Sequence, residues 1–138
     1  MMRRKEQAFT LLEIMLVVTI IALLMGAAIY KLAGNVEVSR HVRVQGDIQA
    51  FNTQLKLYQS LNGFFPTTDQ GLQALVTPPV TDPKPTRWTQ LMNDPLPKDP
   101  WGTPYIYLCP GKKNPNGYDL YSAGPDHTPD TADDDWGE

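Results

Sequence analysis

Between Phe9 and Tyr30 the chain carries one charge, Glu13, in an otherwise apolar run. A helix over these residues rises about 33 Å at roughly 1.5 Å per residue, enough to cross a hydrocarbon core of about 30 Å. Arg3, Arg4 and Lys5 precede the run, and a basic cluster keeps its own side cytoplasmic, which puts the rest of the chain across the membrane. The competing expectation is a cleavable secretory signal, with Ile14 to Leu24 as its apolar region and Gly26-Ala27-Ala28 as the small residues for cleavage. Two features count against it. Glu13 stands at the head of the run, where a lipid-exposed carboxylate costs on the order of a few kcal/mol. The apolar run also passes into a helical pattern with no loop to present a cleavage site.

All thirteen prolines lie beyond Phe65, and Phe9 to Leu61 contains none. The first part can therefore be helix throughout, roughly 80 Å of it, while the second must be broken into short strands, turns and loops. The boundary is expected near Asn62-Gly63. After Gly34, the residues Val44, Ile48, Phe51, Leu55 and Tyr58 recur at alternating spacings of four and three and mark one apolar face. Arg43, Asp47, Asn52 and Lys56 are assigned to the opposite face. The stripe is short, so packing on the chain's own domain is expected in preference to a coiled coil. Gly34 and Gly46 are weak points, each costing up to about 1 kcal/mol relative to Ala, and either could bend or melt the helix.

In the second part, Pro104 to Cys109 alternates Tyr105 and Tyr107 against Ile106 and Leu108, a strand pattern starting after a proline. Tyr118 to Ser122 offers a second strand, and Pro110 to Gly117 between them is turn chemistry, so an antiparallel hairpin is expected. Two strands do not stand alone in water, and the apolar helix face is the surface to cover them. Gln70 to Val76 could add one short helix.

The tail places Asp126, Asp130, Asp133, Asp134, Asp135 and Glu138 within thirteen residues that hold no Lys or Arg. Such a segment reads as a solvated, disordered acidic tail, or as an oxygen-rich loop neutralised by a cation. Trp136 offers an anchor, and Ser122, Gly124 and Asp126 begin a tight turn. Calcium takes six to eight carboxylate and carbonyl oxygens, which the segment can supply, although not at EF-hand spacing.

Composition removes other classes. With a net charge of -3 and a pI near 5.3, and no basic cluster beyond Arg3-Arg4-Lys5 to neutralise phosphates, no nucleic acid is expected. Cys109 is the single cysteine and forms no internal disulfide; a core or strand position is expected for it. His41 and His127 lie in unlike contexts with no catalytic motif around them, so no enzyme is expected and His41 reads as an exposed helix residue.

The basic leader followed by Ala8-Phe9-Thr10-Leu11-Leu12-Glu13 resembles the prepilin leader of type IV pilins and type II secretion pseudopilins. Phe65 to Val76, Pro97 to Tyr105 and Tyr118 to Asp126 resemble segments of the G-type major pseudopilins, in that family's order, and extend the likeness over nearly the whole chain. The resemblance implies an α+β, type IV pilin-like fold. In that fold a long N-terminal helix, transmembrane then amphipathic, packs on a small antiparallel β-sheet with a C-terminal calcium loop. The expected divisions are a leader at 1–8, a transmembrane and filament-core helix at 9–33, an amphipathic helix at 34–61, and a periplasmic domain at 62–138. That domain comprises an αβ-loop at 62–100, a hairpin at 101–122 and a calcium loop with the C-terminus at 122–138.

The resemblance further implies cleavage between Ala8 and Phe9 by a prepilin peptidase and N-methylation of Phe9. Ala8 stands where the family has Gly, and Tyr30 where it often has Pro. Cleavage would free an amine with a reference pKa of roughly 8, cationic at neutral pH. A neighbouring helix shifted along the axis could bring that amine against Glu13, rewarding one subunit stagger. Calcium is implied on the side chains of Ser122, Asp126, Asp133 and Asp134 and the backbone carbonyls of Leu120 and Thr131, with Asp130 able to replace a ligand. His127 stands where a glycine is common.

The implied function is the major structural subunit of the type II secretion pseudopilus, a homo-oligomeric periplasmic filament driving export across the outer membrane. Its implied partners are minor pseudopilins and an inner-membrane assembly platform. A type IV pilus subunit for adhesion or DNA uptake, and a secreted calcium-binding module, are the alternatives.

Overall fold

The computed structural model describes residues 9–138. Helix α1 spans Leu11–Asn62, a short 3-10 helix η1 spans Leu72–Leu75, and strands β1 and β2 span Ile106–Leu108 and Asp119–Tyr121. By contacts the chain divides into two units, the first ending at Val38 and the second running from Ser39 to Glu138. The helix contributes to both and is helical through Gly34 and Gly46.

Helix α1 starts for a local reason. The Glu13 N–H donates to Thr10 Oγ1 at 3.3 Å and to the Thr10 carbonyl at 3.0 Å, so Thr10 caps the first turn. The stop is equally local. Gly63 takes φ of +86°, and its N–H donates to the Gln59 carbonyl at 2.6 Å, the left-handed glycine ending that L side chains resist. Asn62 ties the break to the following loop: its amide donates to the Tyr58 carbonyl, and its Oδ1 accepts the Arg87 N–H.

In the second unit the residues at four-three spacing are the buried ones. Val44, Phe51 and Leu55 are fully buried, and Ile48 and Tyr58 nearly so. They pack with Leu72, Ala74 and Leu75 of η1 and with Tyr105, Tyr107 and Leu120 of the hairpin. Phe51 meets Tyr105 edge-on at 5.5 Å, and Tyr107 donates its hydroxyl to the Pro66 carbonyl at 2.8 Å. Strands β1 and β2 pair antiparallel with Tyr107 opposite Leu120. The regular pairing is shorter than the expected strands because their outer residues pair elsewhere, Pro104 with Lys98 and Ser122 with Asp135. Buried Asp119 accepts the Lys113 and Asn114 N–H groups, which closes the hairpin connection on itself.

The helix face is a correction to the expected amphipathic arrangement. Asp47 accepts the Tyr105 hydroxyl at 2.7 Å and Asn52 accepts the Tyr118 hydroxyl at 2.7 Å, so these two residues border the packed stripe rather than lie opposite it. On a wheel of 3.6 residues per turn each is adjacent to a stripe position.

Candidate functional site

Two regions carry the residues that the sequence singled out. In the first unit the apolar helix has no internal partner: Leu11, Leu12, Ile14, Met15, Leu16 and Leu24 are each more than half exposed. Its most apolar 18-residue window has a mean hydropathy of 2.6, and none of it is buried. Apolar surface around a whole helix needs lipid or other chains to cover it. Thr19 does not interrupt that surface, because its hydroxyl donates back to the Met15 carbonyl at 2.7 Å. Glu13 occupies the first turn, where a carboxylate is favoured by the helix dipole. Thr10-Leu11-Leu12-Glu13 has capping-box spacing, but only half of the box forms: the Glu13 N–H donates to Thr10 Oγ1, and among the described residues the Glu13 carboxylate makes no hydrogen bond back. Ala8, the leader and hence the cleavage junction lie outside the described residues.

The second region is the acidic loop after β2. Ser122 exchanges backbone hydrogen bonds with Asp135, so the tail returns to the end of the hairpin. Trp136 stacks on Tyr121 with centroids 4.3 Å apart, and the Lys113 ammonium lies 3.5 Å from the Trp136 ring centroid. The expected anchor is thus in place, and the tail is ordered rather than a solvated strand of charge.

Within the loop most carboxylates are met by donors. Thr128 N–H donates to Asp126 Oδ1 at 2.8 Å, and Asp126 N–H to Asp133 Oδ2 at 3.2 Å. The Thr131 hydroxyl donates to Asp133 Oδ1 at 2.7 Å, and its N–H to Asp134 Oδ2 at 3.1 Å. The Thr131 hydroxyl first, and the Asp126 N–H with it, hold the Asp133 carboxyl below the usual carboxylate range. Gly124, at φ of +69°, has no room for a Cβ beside the Asp133 backbone, which explains the close approach of the two limbs of the loop. His127 and Asp130 also take positive φ, at +58° and +67°, so the loop carries local strain where the family likeness has a glycine at the first of them.

The proposed ligand residues are thus gathered only in part. Asp126, Thr131, Asp133 and Asp134 are linked in one hydrogen-bonded group, while the Ser122 hydroxyl donates to buried Asp99 Oδ2 at 2.6 Å and accepts the Gly124 N–H at 3.1 Å. Leu120 belongs to β2, and its side chain is in the core. Among the described residues no group of three His, Cys, Asp or Glu side chains is arranged to hold a metal ion. One oxygen nevertheless fits a cation: Asp134 Oδ1 is buried and has no hydrogen-bond partner. A buried carboxylate oxygen left alone is costly, and a cation is one way to satisfy it.

Asp130 points elsewhere, at 2.8 Å from the Lys112 ammonium, and Asp135 lies 2.9 Å from His41 Nδ1. His41 is therefore half-exposed and holds the tail, a role its sequence context did not reveal. Asp99 was also missed as a support; its Oδ1 accepts the Trp101 and Thr103 N–H groups, a turn that Asp-Pro-Trp-Gly could have signalled. Cys109 is half-buried just after β1, with Sγ toward the Gly117 carbonyl.

Residues 31–136 match the family model described as type II secretion system (T2SS), protein G. The chain belongs to that family. Residues 3–29 match the prokaryotic N-terminal methylation motif. The type II secretion system core protein G of Dickeya chrysanthemi is 42% identical over 136 residues, covering 96% of this chain and 86% of that protein. The protein of the same name from Escherichia coli K12 is 40% identical, covering 96% of this chain and 92% of that protein. Among solved structures, the major pseudopilin from the type 2 secretion system of enterohaemorrhagic Escherichia coli superposes with a TM-score of 0.67 at 39% identity. It covers 74% of this chain and 85% of that one. This family member is a major pseudopilin of the type IV pilin-like fold, and its family is structural rather than enzymatic.

Proposed function

We propose that the chain is cut between Ala8 and Phe9 by a prepilin peptidase, methylated at the Phe9 amine, and held as a single-pass inner-membrane protein with its C-terminal domain in the periplasm. From there it polymerises into a homo-oligomeric periplasmic pseudopilus that drives protein export across the outer membrane, with minor pseudopilins and an inner-membrane assembly platform as partners. The observation that carries this reading is the apolar helix segment with none of its residues buried and a carboxylate in its first turn. Lipid satisfies such a surface before assembly, and neighbouring copies of the helix satisfy it afterwards. Leaving lipid for a filament core confronts Glu13 with a cost that a neighbour's Phe9 amine can offset, so the pair favours one stagger.

Calcium belongs to the same proposal. Asp126, Asp133 and Asp134 would hold it with the Ser122 hydroxyl and the Leu120 and Thr131 carbonyls. Bound there, it neutralises part of the loop's charge and ties the loop to the hairpin. The unpartnered Asp134 Oδ1 and the gathering of Asp126, Asp133 and Thr131 support this assignment.

Intact mass and N-terminal sequencing of the protein purified from membranes test the processing step, with a methylated Phe9 start expected. A chain that begins near Ala28 would leave no filament helix and would replace this reading with a released calcium-binding module.

A further inference from the structure

We propose that Asp99 is a positioning residue for the calcium loop, acting through the Ser122 hydroxyl; the inference rests on the calcium reading above. Asp99 stands outside that loop, 23 positions before Ser122, and is 2% exposed. A carboxylate buried to that extent is costly unless its oxygens are well bonded. Both oxygens are bonded, and they have different tasks.

Oδ1 serves the local turn. It accepts the Trp101 N–H at 3.1 Å and the Thr103 N–H at 2.7 Å, while the Asp99 N–H donates to the Thr103 carbonyl at 2.9 Å. Oδ2 accepts nothing from the turn and takes the Ser122 hydroxyl at 2.6 Å. The turn is fixed at its base, where Arg43 of helix α1 donates to the Lys98 carbonyl at 3.0 Å. It also reaches the loop a second time, through the Thr103 hydroxyl and the His127 ring.

The direction of the Asp99–Ser122 bond decides what Ser122 can offer. An ionised carboxylate only accepts, so the hydroxyl donates, and 2.6 Å is the length of a charge-assisted bond of this kind. The Gly124 N–H, at 3.1 Å, uses one lone pair of the same oxygen. A hydroxyl has one proton and two lone pairs, so one lone pair is left for a cation. Donation to a carboxylate also makes that oxygen more electron-rich. Hydrogen bonds behind a metal's ligands act in this way, and losing one typically costs about 10–100-fold in metal affinity.

An amide at this position would reverse the bond. In Asp99→Asn the carbonyl oxygen keeps both N–H groups of the turn, and the amide nitrogen donates to the Ser122 oxygen. That oxygen then accepts twice, and its proton takes the place of the lone pair that a cation would use.

The test is calorimetric titration of calcium into the metal-stripped full chain in detergent, with melting temperatures taken separately in EGTA. Asp99→Asn is expected to weaken calcium binding tenfold or more and to leave the melting temperature in EGTA close to that of the unaltered chain. Ser122→Ala should weaken binding by a similar factor. Adding Asp99→Asn to Ser122→Ala should weaken it no further, because the effect runs through the hydroxyl. Unchanged affinity in either single variant overturns the proposal. So does an equal loss from Asp99→Asn with and without the Ser122 hydroxyl. An Asp99→Asn chain that no longer melts cooperatively in EGTA assigns Asp99 to the fold alone and overturns it too. If the unaltered chain takes up no calcium, the calcium reading fails and this role fails with it.

Discussion

In the first part of helix α1, Leu11 is 80% exposed and Leu24 65%, whereas Phe51 and Leu55 in its second part are wholly buried. Local helix formation is the same in both, so the difference lies in what surrounds them. The second part shows apolar residues on one stripe and finds its cover in the hairpin and η1. The first is apolar on all sides, and no single small domain can enclose it. One part draws its stability from its own fold, and the other must draw it from lipid and from other copies.

The largest effect that could break this contrast concerns Glu13. Removing the carboxylate should lower filament yield more than tenfold and leave the domain's melting temperature unchanged, as sheared-filament assays and calorimetry would check. Glu13 gives the Thr10 cap only its backbone N–H, so the side chain can be changed without touching the cap, and Glu13→Gln is the sharper variant. It keeps the size of the side chain and loses only the charge, so assembly by Glu13→Gln at normal yield would remove the register role of the carboxylate.

Phe51→Ala should act on the other region alone. Emptying a fully buried aromatic site costs about 3–5 kcal/mol, seen as a lower denaturation midpoint with membrane insertion unaffected. Loss of calcium is expected to matter less. At a hundredfold excess over its dissociation constant, a bound ion adds about 2.7 kcal/mol, so EGTA should lower the melting temperature and added calcium restore it. A melting temperature indifferent to both would remove the metal from the acidic loop.

The smallest effect at working pH comes from the tyrosines. Burial, and for Tyr105 also the bond to Asp47, raises the phenol pKa values of Tyr58, Tyr105, Tyr107, Tyr118 and Tyr121. Each phenol binds its proton more tightly folded than unfolded. Their contribution is therefore complete below a pH of about 10 and declines as pH rises beyond it. Alkaline titration should unfold the domain while a helix held in detergent keeps its circular dichroism. Tyrosines that ionise near 10 without unfolding would show that the phenols are not held in the core.

Much of the fold was legible because it is local or periodic. Val44 to Tyr58 announced their burial by spacing, Gly63 ended the helix, and Tyr105 to Leu108 alternated as a strand does. Asp47 and Asn52 were assigned to the wrong face because polarity was taken for exposure, whereas a tyrosine hydroxyl can approach the edge of an apolar stripe. The acidic loop was harder to read. Its composition fits a solvated tail equally well, and the decision rests on Ser122 pairing with Asp135, on Trp136 stacking against Tyr121, and on His41 reaching Asp135 across 94 positions of sequence.

The sequence by itself determined the apolar anchor, the extent of the long helix, its buried stripe and the order of the hairpin. Each follows from neighbours within a few residues, where periodicity and capping act. Only the tertiary structure decided which carboxylates have partners. Lys112 holds Asp130, His41 holds Asp135, and one oxygen of Asp134 has none. Hydrogen bonds and ion pairs act over a few ångströms of space, and the fold alone sets which distant residues come that close.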